Sequence, residues 1–232
     1  MARVRNSRRI GRRLFRALLW VLVLTVAVPL GVVAAYRVVP PPMTPLMVIR
    51  LAEGEGLQRD WTSLSQIPRH AVQAVIAAED NLFCSHGGFD WDAMLEAVAE
   101  HLRGERLRGA STISMQTAKN VFLWPGRSLF RKGLEAYLTP LIEFAWGKRR
   151  IIEIYLNVAE WGPGVYGIEA AAQRHFGKRA ARLSRWEAAV LAAVLPNPRA
   201  WSASDPGPFV RERARIYLRR MEQLGPLLDC VA

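Results

Sequence analysis

Residues 79–90, Glu79-Asp80-Asn81-Leu82-Phe83-Cys84-Ser85-His86-Gly87-Gly88-Phe89-Asp90, set an acidic pair at the end of an apolar run and follow it with a glycine-broken turn. Val72, Val75 and Ile76 give that run a helical face, and Ile67-Pro68 opens it, with proline suited to the first turn. A carboxylate at such a helix end is aimed outward, not packed. Some twenty residues later comes Gly109-Ala110-Ser111-Thr112-Ile113-Ser114-Met115-Gln116-Thr117-Ala118-Lys119-Asn120, a stretch of small and hydroxyl residues that ends in a cation and an amide.

Working outward, Asp90 is a candidate N-cap for a helix whose Met94, Leu95, Val98 and Leu102 recur at helical spacing as far as Gly104. Further helices are expected at 111–122, 129–146, 148–158, 168–176, 186–195 and 209–224, and Ser184 with Glu187 has the form of a capping box. Strand signals are nearly absent, apart from a short strand-like stretch at Leu46–Leu51. The fold class is therefore mainly α, and 61–232 is long enough for one domain with its own core.

Residues 17–36 carry no charge, and a run of about 20 apolar residues can span a bilayer. Seven arginines precede it in residues 1–16, while Arg37 and a proline-rich linker, 37–60, follow. The positive-inside bias then puts the N-terminus in the cytoplasm and the bulk of the chain outside, in the periplasm or extracellular space. A cleavable signal peptide is the competing reading, but its apolar core is usually shorter.

The formal net charge of +12 falls to +5 once the arginine tail is set aside. That remainder suits a diphosphate or an acidic membrane surface more than nucleic acid, which an exported domain rarely meets. Cys84 and Cys230 lie far apart and are not read as a disulfide framework, and no Cys-His-Asn arrangement makes Cys84 a nucleophile. The four histidines are scattered without the spacing of a zinc site.

The ordered set Glu79-Asp80, Phe83, His86, Gly88 and Asp90, followed by Ser111-Thr112 through Lys119-Asn120, resembles the first two signature motifs of glycosyltransferase family 51, the peptidoglycan transglycosylases. Arg127-Ser128-Leu129-Phe130-Arg131-Lys132-Gly133-Leu134-Glu135 resembles the third. Residues 148–178, with Tyr155, Asn157, Gly162, Gly167 and Ala170-Ala171-Ala172, resemble the fourth, and residues 183–198 the fifth. One departure is Met115, where many members carry glutamine. The chain stops at Ala232, leaving no room for a transpeptidase domain, so the likeness is to the monofunctional members.

The resemblance implies a lysozyme-like helical lobe joined to a smaller membrane-facing lobe, and polymerisation of lipid II on a lipid-linked glycan. Inverting transfer would form β-1,4 bonds and release undecaprenyl diphosphate. Glu79 would be the base and Glu135 the second acid, on the donor side. Ser111, Thr112, Gln116, Lys119, Asn120, Arg127, Arg131 and Lys132 would bind substrate. Asp80, Phe83, His86 and Gly88 would support the loop. No cofactor is required, although Mg2+ or Mn2+ can assist some members. The expected partners are the membrane and proteins of division or elongation.

Such chemistry needs a base for a sugar hydroxyl and positive charge for a departing diphosphate, but no strong acid, unlike glycoside hydrolysis. The free N–H groups at the start of the helix at 111–122 would favour an anion. Blander readings stand beside these. Glu79 alone would be an ordinary helix-end carboxylate, and Arg131 with Glu135 an ordinary surface pair four residues apart. Two further alternatives are a lytic muramidase acting on finished glycan and an inactive membrane-tethered scaffold.

Overall fold

Apolar residues recurring three and four apart require a partner face, and this requirement organises the chain. The structure, a computed structural model, describes residues 2–104, 109–126 and 128–231. It divides into two units, Met1–Val39 and Pro40–Ala232.

In the first unit α1 (Ala2–Leu22) continues into α2 (Val28–Tyr36) through a wider π-turn at Val23–Ala27. Pro29 accounts for the turn. It has no N–H to donate, and its ring crowds the carbonyl four residues earlier, so the helix widens just ahead of it. Arg12–Tyr36 is a helical stretch of 25 residues whose apolar 18-residue window has mean hydropathy 2.6 and almost no burial, by length and composition sufficient to cross a membrane.

The second unit contains, in order, α3 (Pro45–Ala52), β1 (Gln58–Arg59), α4 (Arg69–Glu79), α5 (Trp91–Leu102), α6 (Ile113–Phe122), α7 (Leu129–Val158), β2 (Glu160–Gly162), β3 (Val165–Tyr166), α8 (Ile168–Phe176), α9 (Arg185–Val194) and α10 (Pro208–Gln223). A 3-10 segment, Gly225–Val231, closes it. The three short strands form one sheet in the order β1-β3-β2, with β1 parallel and β2 antiparallel to β3. Asn157 ties the segment after β1 to α7, because its side chain accepts from the Thr62 amide and donates to the Thr62 carbonyl, both at 2.8 Å.

Local chemistry explains where most helices start and stop. Asp90, Thr112 and Ser184 each accept a hydrogen bond from a first-turn backbone amide, and Ser184 with Glu187 completes the expected capping box. Gly147 sits at φ 67° and breaks α7 between the two helices expected at 129–146 and 148–158. Leu46–Leu51, expected to be strand-like, is instead the body of α3. Thr44 caps its first turn and Pro45 is set for a helix start, which outweighs the β-branched Val48 and Ile49. Residues 45–59 therefore belong to the second unit.

The core lies where α4 packs against α9 and α10 and where α6 packs along α7. Ala71, Val75 and Ile76 of α4 face the wholly buried run Ala188–Val194 of α9. Truncating a residue such as Ile76 to alanine would cost about 2–5 kcal/mol. Because α4 is locked into this core, its last residue, Glu79, is held at a fixed point beside α6 and α7.

The expected helix α5 forms, but its apolar stripe is left uncovered: Leu95 is 68 % and Leu102 81 % exposed, with Trp91 and Val98 also exposed. A helical period reports that a face is apolar, and says nothing of what covers it. The cysteines differ from expectation. Cys84 and Cys230 form a disulfide with Cα atoms 5.6 Å apart, bridging 146 residues of sequence and tying the turn after Glu79 to the C-terminal 3-10 segment.

Candidate active site

The end of α4 is the centre from which the site is built. Helix α4 stops at Asp80, whose backbone leaves the helical region at φ −165°. The Asp80 carboxylate accepts from His86 Nε2 at 3.0 and 3.1 Å and from the backbone amide of Ile113 at 2.9 Å. The Gly88 amide in turn donates to His86 Nδ1 at 3.1 Å, which makes Nε2 the protonated nitrogen. Phe83 is fully buried beneath this turn, with the Lys148 ammonium 4.5 Å from its ring centre.

The amino end of α6 is thus not an open anion site. Asp80 already occupies the first free amide, and Thr112 occupies another: its hydroxyl accepts from Met115 and donates to the Gly88 carbonyl at 2.6 Å. Thr112 is only 2 % exposed. Its hydroxyl joins the two motifs inside the fold, and the residue also lines the cavity that Glu79 lines. Gly88 makes that junction possible at φ +102°, where a Cβ would lie 2.8 Å from Thr139 Cγ2.

Glu79 is held differently. Gln116 Nε2 donates to its Oε2 at 2.7 Å, and Tyr155 donates to Gln116 Oε1 at 3.2 Å, which fixes the amide's orientation. Glu79 Oε1 is buried with no hydrogen-bond partner among the described residues. Burial raises the Glu79 pKa, partly opposed by the Gln116 hydrogen bond and the charges of Arg213 and Lys119. Burial also pushes Tyr155 well up, so its hydroxyl stays a donor. Arg213, on α10, lies across the rings of Trp201, Phe209 and Tyr217.

On α7 a second acid is fully engaged. Glu135, 2 % exposed, accepts from Arg131 at 2.7 Å and Lys132 at 2.5 Å, and Lys132 also donates to Ser111 at 3.0 Å. The Arg131–Glu135 pair is therefore buried rather than an ordinary surface pair. Lys119 lies between the two acids. Burial lowers its pKa, opposed by the charges of Glu135 and Glu79, and among the described residues its ammonium has no hydrogen-bond partner. Arg127 lies outside the described residues.

Two cavities lie at this site, one lined by Glu79 itself and the other by its partner Gln116. One, of about 390 Å³, is lined by Gln116, Lys119, Asn120, Arg131 and Tyr155, and extends to Arg50 and Glu160. The other, of about 330 Å³, is lined by Glu79, Asp80, Asn81, Asp90, Ser111 and Arg220. Met115 lines neither and is buried in the core, so the one departure from the motif does not reach the site. Sequence reading missed the Tyr155–Gln116 link and Arg213. Tyr155 stood in a motif without a role, and Arg213 carries no local signal beyond a basic helix.

A helical domain that holds a buried acid at one cavity and buried cations at its neighbour has the make-up of an active site. The family model described as transglycosylase matches residues 47–222. Curated relatives named "Biosynthetic peptidoglycan transglycosylase" include one from Rhodospirillum centenum, 56 % identical over 210 residues, covering 90 % of this chain and 91 % of the relative. One from Pseudomonas aeruginosa is 54 % identical, covering 94 % and 95 %. One from Caulobacter vibrioides is 53 % identical, covering 97 % and 99 %. This chain belongs to the transglycosylase family, whose domain is a lysozyme-like helical fold.

Proposed function

We propose that the protein polymerises peptidoglycan glycan strands from lipid II, with Glu79 as base. The observation that carries the reading is the asymmetry of the Glu79 carboxylate: Gln116 holds one oxygen, and the other is buried without a partner among the described residues, in a side chain that lines one cavity and is joined through Gln116 to the next. In this reading the free oxygen takes the proton of the 4-hydroxyl of the N-acetylglucosamine of lipid II. The hydroxyl oxygen bonds to the anomeric carbon of the lipid-linked chain from the face opposite the leaving group. The C–O bond to the diphosphate breaks, and the electron pair leaves with undecaprenyl diphosphate. Inversion gives the β-1,4 linkage.

A base in a buried site, with its proton affinity raised above that of an ordinary carboxylate, suits this task. No acid is needed on the other side, because cations stabilise the departing charge. Lys119, Arg131 and Lys132 fill that role, joined by Arg127, with Ser111 and Asn120 as polar contacts. Glu135 acts through the two cations it holds, as a positioning residue. Asp80, His86, Phe83 and Gly88 keep the turn rigid behind Glu79. Among the described residues no group of three or more His, Cys, Asp or Glu could hold a metal.

The helix at 12–36, uncharged from residue 17 onward, supports a membrane anchor, and the arginines of residues 1–16 support a cytoplasmic N-terminus. The Cys84–Cys230 disulfide supports an oxidising compartment for the second unit, as outside the cytoplasm. The exposed apolar face of α5 suits the membrane surface from which a lipid-borne substrate would be drawn. Parallel assays of lipid II polymerisation and of digestion of purified sacculi test the proposal. Polymer without digestion is the expected result. Digestion without polymer would favour the muramidase, and neither would favour a scaffold.

A further inference from the structure

The turn after Glu79 is held firmly on its inner side. Phe83 is fully buried, and His86 and the Ile113 amide both donate to Asp80. Its outer residues are bonded differently. The Phe83 amide donates to the Asp80 carbonyl, and the amide and hydroxyl of Ser85 donate to the Leu82 carbonyl. Among the described residues, Asn81, Leu82 and Ser85 form no hydrogen bond to another element. Asn81 and Leu82 nevertheless line the cavity that Glu79 lines. One wall of that cavity is thus a turn whose outer residues find hydrogen bonds only within it.

The support from outside is covalent. Cys84 is bonded to Cys230 in the 3-10 segment Gly225–Val231. That segment is itself anchored, because Leu228 is buried and Arg149 donates to the Val231 carbonyl at 3.3 Å. It continues from α10, whose Arg220 lines the same cavity and donates to the Ala77 carbonyl of α4 at 3.4 Å. The disulfide therefore joins two parts of one cavity lining, the turn and the end of α10. Both cysteines are half-buried, so a small dithiol can reach the bond.

One exchange reaction undoes this arrangement. A dithiol passes two electrons and two protons to the bond: the S–S bond breaks, Cys84 and Cys230 become thiols, and the dithiol closes into its own disulfide. A disulfide oxidant reverses the exchange. Helix α10 packs on α4 and α9, so Arg213 and Arg220 keep their places when the bond opens, whereas the outer turn loses its tie. We propose that the Cys84–Cys230 disulfide is a redox latch, which holds Asn81 and Leu82 at the cavity of Glu79 so that polymerisation runs at full rate only in the oxidised protein. The two cysteines are positioning residues, since neither lines the cavity. This rests on the role of Glu79 as base proposed above.

An open latch admits water to Glu79. Burial is the main cause of its raised pKa, so hydration moves that pKa down, toward an ordinary glutamate. The other groups facing it stay in place. Asp80 is held by His86 and Ile113, Lys119 lies on α6, Tyr155 on α7 and Arg213 on α10, while Asp90 and Arg220 line the same cavity.

The test uses the full chain in detergent with lipid II, at a temperature where circular dichroism shows the oxidised and reduced proteins both folded. Wild type in dithiothreitol, Cys84→Ser and Cys230→Ser are each expected to lose about three- to tenfold in kcat/KM, the scale of a small displacement at a reacting group. Oxidised glutathione should restore the wild type and leave the variants as they are. The acid limb of the pH profile should move to lower pH in all three, a change that a bond serving stability alone would not cause. Folded, reduced wild type with the rate and acid limb of the oxidised form would overturn the latch and leave Glu79 as base untouched. Dithiothreitol slowing Cys84→Ser as much as it slows wild type would do the same. Oxidised wild type that makes no polymer would overturn the latch and the proposed function together.

Discussion

Removing the Cys84–Cys230 disulfide perturbs the site from a distance that can be put into numbers. The bond joins residues 146 apart in sequence, so its loss releases a long loop in the unfolded chain. The loop-entropy relation gives about 5 kcal/mol for a loop of that length at 25 °C, and native disulfides in practice contribute roughly 2–5 kcal/mol. For a domain of this size each kcal/mol moves Tm by about 2–4 °C. Cys84→Ala is thus expected to lower Tm by roughly 5–20 °C, read by circular dichroism on the full chain in detergent. Cys230→Ala and the double variant should fall by the same amount, because one bond is lost in each case. Wild-type protein in reductant should join them. A Tm within a degree or two of wild type in the double variant would refute the reasoning, as would a double variant that fell by the sum of the two singles.

Glu79 carries a pH signature. Burial raises its pKa, and a base must be deprotonated to act, so activity should fall on acidification with a midpoint above the ordinary glutamate value of about 4.3. The same shift has a stability sign. A folded-state pKa above the unfolded one favours the protonated form in the fold, a contribution present below the unfolded pKa and lost as pH rises through the folded one. Glu79→Gln should therefore be inactive yet at least as stable as wild type at neutral pH in a thermal melt. Tyr155→Phe deprives Gln116 of its donor, a hydrogen bond worth about 0.5–1.5 kcal/mol, and should lower kcat/KM roughly two- to tenfold; an unchanged value would separate Tyr155 from the site. Gly88→Ala should lower Tm and activity together, since its Cβ would meet Thr139 and Glu143 at 2.8 and 3.0 Å. Gly87→Ala, with nothing within 4 Å, is the matched control and should change neither.

Much of the helical order was legible in the sequence because its signals are local. Asp90, Thr112 and Ser184 cap the helices they precede, and Gly147 breaks α7 where a gap between two apolar periods required it. What escaped depends on residues far apart in the chain. Nothing near Cys84 announces Cys230, and the period of α5 cannot say that Leu95 and Leu102 find no cover. A hydroxyl at a helix start can face either way, and the bonds of Thr112 to Met115 and Gly88 depend on a turn 24 residues away. Glu135 looked like a surface partner of Arg131 until the packing of α7 buried both. The strand-like Leu46–Leu51 misled because Thr44 and Pro45, just ahead of it, carried the stronger signal.

The central claim is that Glu79 is the base of a polymerising transfer, and lipid II polymerisation by wild-type protein and by Glu79→Gln, each full-length in detergent, tests it most directly. The account predicts polymer from the wild type and none above background from Glu79→Gln, with the variant's melting curve showing an intact fold. Polymer formed by Glu79→Gln at the wild-type rate would contradict it.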